Sequence, residues 1–325
     1  MKFFEIKDYL SDLRAISIII GGRGIGKTYS TLDFIINKNE KFIYLRNTDT
    51  QLEECSGDFG NPFKKLNTDK GYDISVSRAK KHSNIIDHSR EVDNIIGYGV
   101  ALSTFENLRG VDLSDVKYVV FDEFIENRKL TFDQFKTFQN FYETVNRNRE
   151  LLGEEPLICI LLSNSQSLNN PILMGYNIVP IIEGMTRSGQ QKHKSEGMLI
   201  LLPESEISEL KKNTANYKMI KGTRIYEENL NNKFANDSFY GIVKRNLREY
   251  KPLVRVDDIY IYKHKSAAKY YACSSQALNI QEFNSRDNAM IFYRAYGHSL
   301  LISYAAGNLE FSDFTIKSQL LELLK

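Results

Sequence analysis

Eight residues narrow the possibilities for this chain more than any others. Gly21-Gly22-Arg23-Gly24-Ile25-Gly26-Lys27-Thr28 follows directly on an apolar run at 16–20 and precedes Tyr29, Leu32, Ile35 and Ile36 at helical spacing. The octet satisfies G-x-x-x-x-G-K-[ST] in full, and it lies between a strand and a helix, where that pattern has physical meaning. Glycines let successive backbone N–H groups turn toward phosphate oxygens, and the following helix presents its positive end to them. In such a loop Lys27 reaches the β- and γ-phosphates of ATP and the Thr28 hydroxyl binds Mg²⁺. The plain alternative is a glycine-rich turn with an incidental lysine, for which strand, loop and helix need not occur in this order.

Further short apolar runs alternate with helical periods through the first half. Phe42-Ile43-Tyr44-Leu45-Arg46 and Tyr118-Val119-Val120-Phe121 read as strands, the second ending in Asp122-Glu123. Residues 157–162 read as another, ending in Ser163-Asn164, with shorter pieces between 72 and 102. Continuous apolar strands separated by helices imply a mostly parallel sheet covered on both faces, an α/β fold. One helix carries the stripe Phe132, Phe135, Phe138, Phe141/Tyr142 and Val145, with Thr131 and Gln134 at capping-box spacing. It runs out at Asn146-Arg147-Asn148-Arg149, arginines in the last turn suiting the helix dipole. After about residue 200 the pattern changes. We expect an ATPase-type domain at 1–200, a connector at 201–232 and a smaller α+β domain at 233–325, with strands at 239–244, 253–263 and 269–273 and a last helix at 318–324.

Composition excludes several classes. The 325 residues carry 43 Lys+Arg against 41 Asp+Glu, so no overall field attracts a polyanion and any nucleic-acid contact must be local. Three scattered cysteines, Cys55, Cys159 and Cys273, form neither a disulfide framework nor a metal set. The N-terminus lacks the apolar core of a signal peptide and no apolar run is long enough for a bilayer, so an intracellular protein off the membrane is expected.

Beyond the loop, Asp122 supplies a second carboxylate on the Mg²⁺ side, and Glu123 can orient a water attacking the γ-phosphate or accept its proton. The alternative for Glu123 is a solvated residue where the strand exits. Ser163 and Asn164 suit a sensor between the phosphate and a moving part, or a simple turn. Arg147 suits an arginine offered to a neighbour's γ-phosphate, or a surface charge on the helix dipole; the residues alone leave the two readings equal. Lys263, His264, Lys265 and Lys269, interleaved with Tyr260, Tyr262, Tyr270 and Tyr271, make a patch fit for phosphates and base stacking, or a solvated sheet with tyrosines in it. Asp257-Asp258 lacks the partner acids of a two-metal nuclease.

The loop, the strand 42–46, Val120-Phe121-Asp122-Glu123-Phe124-Ile125, Glu143-Thr144-Val145-Asn146-Arg147-Asn148-Arg149-Glu150 and Leu162-Ser163-Asn164 together resemble the DNA packaging (encapsidation) ATPases of small tailed bacteriophages of the Picovirinae type, relatives of terminase large subunits. The resemblance is clear over about 15–180 and fainter through Asn231-Asn232-Lys233-Phe234 to Lys244-Arg245. It implies a P-loop ATPase of the additional-strand catalytic-glutamate class joined to an RNase H-like domain without its nuclease acids. It implies ATP and Mg²⁺ held by Gly21 to Thr28 and Asp122, Glu123 as catalytic glutamate, Arg147 as a finger in trans, and Ser163-Asn164 as the coupling element. Arg109 falls where relatives carry a basic residue before the Asp122 strand, and Arg46 and Arg149 are further candidates. Implied partners are double-stranded DNA, a capsid portal, other copies in a pentameric ring, and in some relatives a scaffold RNA; the implied place is the host cytoplasm, transiently at the procapsid portal. The rival readings are a helicase-like nucleic-acid translocase, a small-molecule kinase, which Glu123 and the Arg147 element disfavour, and a non-hydrolysing assembly protein.

Overall fold

The strand that enters the glycine loop, β1 (Ile16–Gly21), is buried along its whole length in the computed structural model, which describes residues 3–89, 94–108, 112–126, 130–165, 167–223, 226, 230, 240–285 and 287–324. It belongs to a nine-stranded sheet with β2 (Lys41–Arg46), β3 (Ile74–Arg78), β4 (Ser83–Asp87), β5 (Asn94–Ala101), β6 (Val116–Asp122), β7 (Ile158–Asn164), β8 (Lys192–Lys194) and β9 (Met198–Leu201). The order is β3-β4-β5-β2-β6-β7-β1-β9-β8. From β5 to β9 every neighbouring pair is parallel, and the pairs β3/β4, β4/β5 and β8/β9 are antiparallel. The helices are α1 (Lys27–Lys38), α2 (Asp49–Glu54), α3 (Lys64–Lys70), α4 (Gln134–Asn146), α5 (Pro171–Gly175), α6 (Val179–Ser188), α7 (Glu206–Lys211) and α8 (Ala215–Met219).

Strand alternation decides which helix covers which face. Val120 of β6 joins the cluster of Leu32 and Ile35 from α1. Its neighbour Phe121 points the other way and stacks on Phe138 of α4, with ring centroids 5.8 Å apart. Both faces are therefore apolar, which is why these strands read as continuous hydrophobic runs.

The start and end of α4 differ from the expectation. Asp133, not Thr131, caps the helix, its carboxylate accepting from the Lys136 amide. Gln134 opens the helix, but it shares the inward row with Phe138, Phe141 and Val145 and its side chain is fully buried. The helix stops at Asn146 because Arg147 and Asn148 both take left-handed backbone, with φ of 48° and 59°. No arginine lies in its last turn. Arg149 instead turns inward, is 3 % exposed, and donates to the carbonyls of Ser114 (2.9 Å) and Val116 (2.7 Å).

The chain divides into two units, one of residues 1–176 with 181–236 and one of 177–180 with 237–325. The stretch 201–232, expected as a connector, falls in the first unit and contains α7 and α8. The second unit holds a mixed sheet, β10 (Tyr250–Val256), β11 (Ile259–His264), β12 (Tyr270–Cys273), β13 (Gln281–Phe283) and β14 (Leu309–Phe311), in the order β13-β10-β11-β12-β14. Helices α9 (Ala289–Phe292), α10 (His298–Ala305) and α11 (Phe314–Leu323) accompany it. The single strand expected at 253–263 is a hairpin. Asp257 adopts φ 49° and accepts the Ser285 amide on its carboxylate, the turn role that aspartate tolerates, so Asp257-Asp258 makes a bend. Among the described residues of 239–244 only an isolated bridge, Ile242 to Phe311, joins the sheet. Arg109 and the 231–234 stretch lie outside the described residues.

Replacing Arg149 by alanine strands the buried carbonyl of Val116, frees the part-buried one of Ser114 and empties a buried side-chain site. The substitution should lower the stability of the first unit by about 2–4 kcal/mol, read as a shift of its urea-unfolding midpoint.

Candidate functional site

Parallel pairing brings the chemistry to one edge of the sheet. β7 lies between β1 and β6, with Gly21 opposite Asn164 and Asp122 opposite Leu162. The loop leaving β1, the acids ending β6 and the Ser163-Asn164 pair ending β7 therefore converge. They line a cavity of about 220 Å³ together with Arg23, Gly24, Gly26, Lys27 and Thr28. A larger recess of about 810 Å³ shares Arg23, Glu123, Ser163 and Asn164 and adds Arg46.

Gly26, with φ 99°, caps α1 in a conformation that favours glycine, and a Cβ there would also stand 3.3 Å from the Phe3 ring. Lys27, the first residue of α1, is 7 % exposed. Its ammonium donates to the carbonyls of Gly21 (3.0 Å) and Gly22 (2.8 Å) and to Asn164 Oδ1 (3.2 Å). Burial pushes its pKa down to about 8; Asp122 opposes that and the nearby Lys211 adds to it. The Thr28 hydroxyl donates to Asp122 Oδ1 at 3.0 Å, and the Tyr44 hydroxyl donates to Asp122 Oδ2 at 2.7 Å. Burial raises the Asp122 pKa, while the Arg46 guanidinium, 3.7 Å away, pulls it back. A hydroxyl and a carboxylate on one cavity wall form an all-oxygen donor set, which suits Mg²⁺.

Glu123 is the first residue past β6. Its carboxylate pairs with Arg46 at 2.7 Å, and its backbone sits at φ 52°, a conformation costly for a residue with a Cβ. Arg46 thus enters the site. Arg147 does not enter the site of its own chain: it stands at the C-terminal end of α4, 44 % exposed in its side chain, pairing with Asp112 at 2.8 Å. Arg149 is committed to the core.

Several residues here were missed in the sequence. Asn47, Gln134 and Asn170 form a buried amide cluster beneath the Glu123 turn. Asn47 Nδ2 donates to the Glu123 carbonyl (3.2 Å), and Gln134 Nε2 donates to the Phe124 carbonyl (2.6 Å) and to Asn47 Oδ1 (2.7 Å). Asn170 Nδ2 donates to Gln134 Oε1 (2.9 Å), while its own oxygen caps α5. Gln134 was legible in principle as a polar residue inside an apolar helical row. Lys211 donates to the Arg23 carbonyl, and the N-terminal strap docks through Phe4 N to Ile25 O (2.9 Å) and Ile6 N to Ser30 Oγ (2.8 Å). Neither has a local sequence signal.

In the second unit, Tyr260, Tyr262 and Tyr271 are buried in one cluster with Tyr250, so these rings serve as core and are unavailable to stack on bases. The lysines remain outside: Lys251 and Lys263 are exposed and directly opposed across β10 and β11.

A strand–loop–helix turn on a parallel sheet, with two carboxylates two strands away, makes this an α/β fold whose loop is shaped to take a phosphate. More specifically, residues 1–258 match the family described as podovirus DNA encapsidation protein (Gp16), and the chain belongs to that family. The DNA packaging protein of Bacillus phage B103 is 30% identical to it over 245 residues, 73% of this chain and 70% of that protein. The crystal structure of the N-terminal domain of the DNA packaging ATPase from bacteriophage phi29 aligns at 26% identity and a TM-score of 0.50, over 63% of this chain and 97% of the domain. The fold is shared along its whole length with a chain of the bacteriophage Phi-29 viral genome packaging motor assembly, with a TM-score of 0.66, 21% identity and 100% of both chains covered.

A lysine that loses its proton near pH 8 must regain it to bind a polyphosphate. Above pH 8, binding of Mg-ATP should therefore take up as much as one proton and weaken as pH rises; calorimetry in buffers of different ionisation enthalpy reads both, and Lys27→Met should abolish the uptake.

Proposed function

We propose that this chain is the ATPase subunit of a motor that drives double-stranded viral DNA into a procapsid. The observation that carries the reading is the convergence of Lys27, Thr28, Asp122, Glu123, Ser163 and Asn164 on one cavity while Arg147 stands exposed at the far end of α4. The names of the relatives, DNA packaging proteins and a packaging motor, support the substrate.

In this reading the backbone N–H groups of the glycine loop and the Lys27 ammonium hold the ATP phosphates. Thr28 and Asp122 would hold Mg²⁺, which supplies positive charge to the phosphate oxygens. Glu123, aimed by its backbone and paired with Arg46, orients the attacking water and takes its proton. Arg147 of one subunit completes the neighbour's site by neutralising charge on the γ-phosphate. Asn164, bonded to Lys27, is the group through which loss of the γ-phosphate is felt by β7. The position of β7 between β1 and β6 supports the additional-strand catalytic-glutamate class. The second unit is read as the RNase H-like companion domain, its α+β make-up in keeping with that. The partners are other copies in a ring, expected to be a pentamer, the portal, duplex DNA and, as in some relatives, a scaffold RNA, in the host cytoplasm. No helix among the described residues is long and apolar enough to cross a membrane.

The test is turnover per protomer against protein concentration, with and without long duplex DNA. Turnover should rise steeply with concentration and further with DNA. Arg147→Ala should keep ATP affinity and lose about 10³-fold in turnover. Turnover that is flat with concentration and untouched by Arg147→Ala would return the chain to a phosphotransferase.

A further inference from the structure

We infer that Gln134 makes α4 a rigid link between two active sites, tying the Glu123 turn of its own subunit to the Arg147 offered to the neighbour. The inference rests on the trans role proposed for Arg147.

The argument starts from the left-handed backbone of Glu123. A residue with a Cβ remains there only when its surroundings over-determine it. Here the Phe124 amide is bonded to Leu162 of β7 at 3.2 Å, and both carbonyls of the turn are held by side-chain amides. Those amides come from three separate elements: Asn47 just past β2, Gln134 at the start of α4, and Asn170 at the cap of α5. Asn47 and Gln134 are wholly buried and Asn170 is 3 % exposed, so none can exchange its partner for water. Gln134 is the hub, since its amide bonds Phe124, Asn47 and Asn170 together. A shift of the Glu123 turn must move Gln134 or break this set.

Gln134 cannot move alone. It begins a continuous 13-residue helix, about 20 Å long, whose inward residues Phe138, Phe141 and Val145 are fully buried. The residue that ends the helix is Arg147. One rod therefore has its first side chain on the catalytic turn of one site and, capping its far end, the arginine offered to the next. Interconversion of Glu123 between two placements would displace the finger, and seating of the finger would bias Glu123, as linkage requires.

Mixed rings test this. Subunits carrying Glu123→Gln, which hydrolyse nothing themselves but still offer Arg147, are mixed with wild type at fixed ratio on duplex DNA, and turnover per wild-type protomer is measured. Adding Gln134→Met to the inactive subunit should lower the turnover of its wild-type neighbours about three- to tenfold further. Adding Arg147→Ala instead sets the floor. If Glu123→Gln/Gln134→Met matches Glu123→Gln alone while the Arg147→Ala combination falls, the link is absent and the trans finger stands. If neither falls, the trans reading fails and the link with it. Should Gln134→Met unfold the subunit below assay temperature, Asn170→Ser in the same background decides identically, because serine keeps the α5 cap and loses the bond to Gln134.

Discussion

Everything chemical in this molecule depends on β7 pairing in parallel with both β1 and β6. That one strand sets the distance between the loop that ends in Lys27 and the strand that ends in Asp122, and its own end fills the gap with Asn164. Because all three strands are buried on both faces, a slip of one residue would turn apolar side chains out of two packed layers at once. The register is thus protected by the core and not by the polar groups that use it. The site inherits its precision from hydrophobic packing.

The polar groups themselves are expensive. Burial disfavours charge on both Lys27 and Asp122; Asp122 relieves Lys27 in part, and Arg46 relieves Asp122 in part. Arg46 spans Asp122 and Glu123 and so balances two carboxylates with one guanidinium. Tyr44 and Thr28 complete the shell of Asp122.

Much of the frame was legible in the chain. The glycine octet, the apolar strands and the acids ending β6 are local signals, each carried by adjacent residues. The failures were non-local. Gln134 looked like a cap because Thr-x-x-Gln spacing is a true helix-start signal, yet Asp133 took that place and freed the glutamine to face Asn47, 87 positions away. Arg147 and Arg149 both read as arginines in the last turn of the helix, and two left-handed residues sent one outward and the other onto carbonyls of the β6 approach. The tyrosines of β11 and β12 read equally as a stacking surface or as part of a solvated sheet, because alternation says which residues share a face but not what covers it. Residues 201–232 looked like a spacer for want of long apolar periods, although Lys211 within them grips the glycine loop.

The placement of β1 also has a consequence for synthesis. Its two sheet neighbours are β7, beginning at Ile158, and β9, ending at Leu201. The glycine loop is therefore made well before it is completed: β1 waits, unpaired along both edges, while well over a hundred residues follow before β7. Long-range closure of this kind is a slow step for a parallel sheet. Until it closes, a nascent chain carries the whole phosphate signature and has no cradle to make from it.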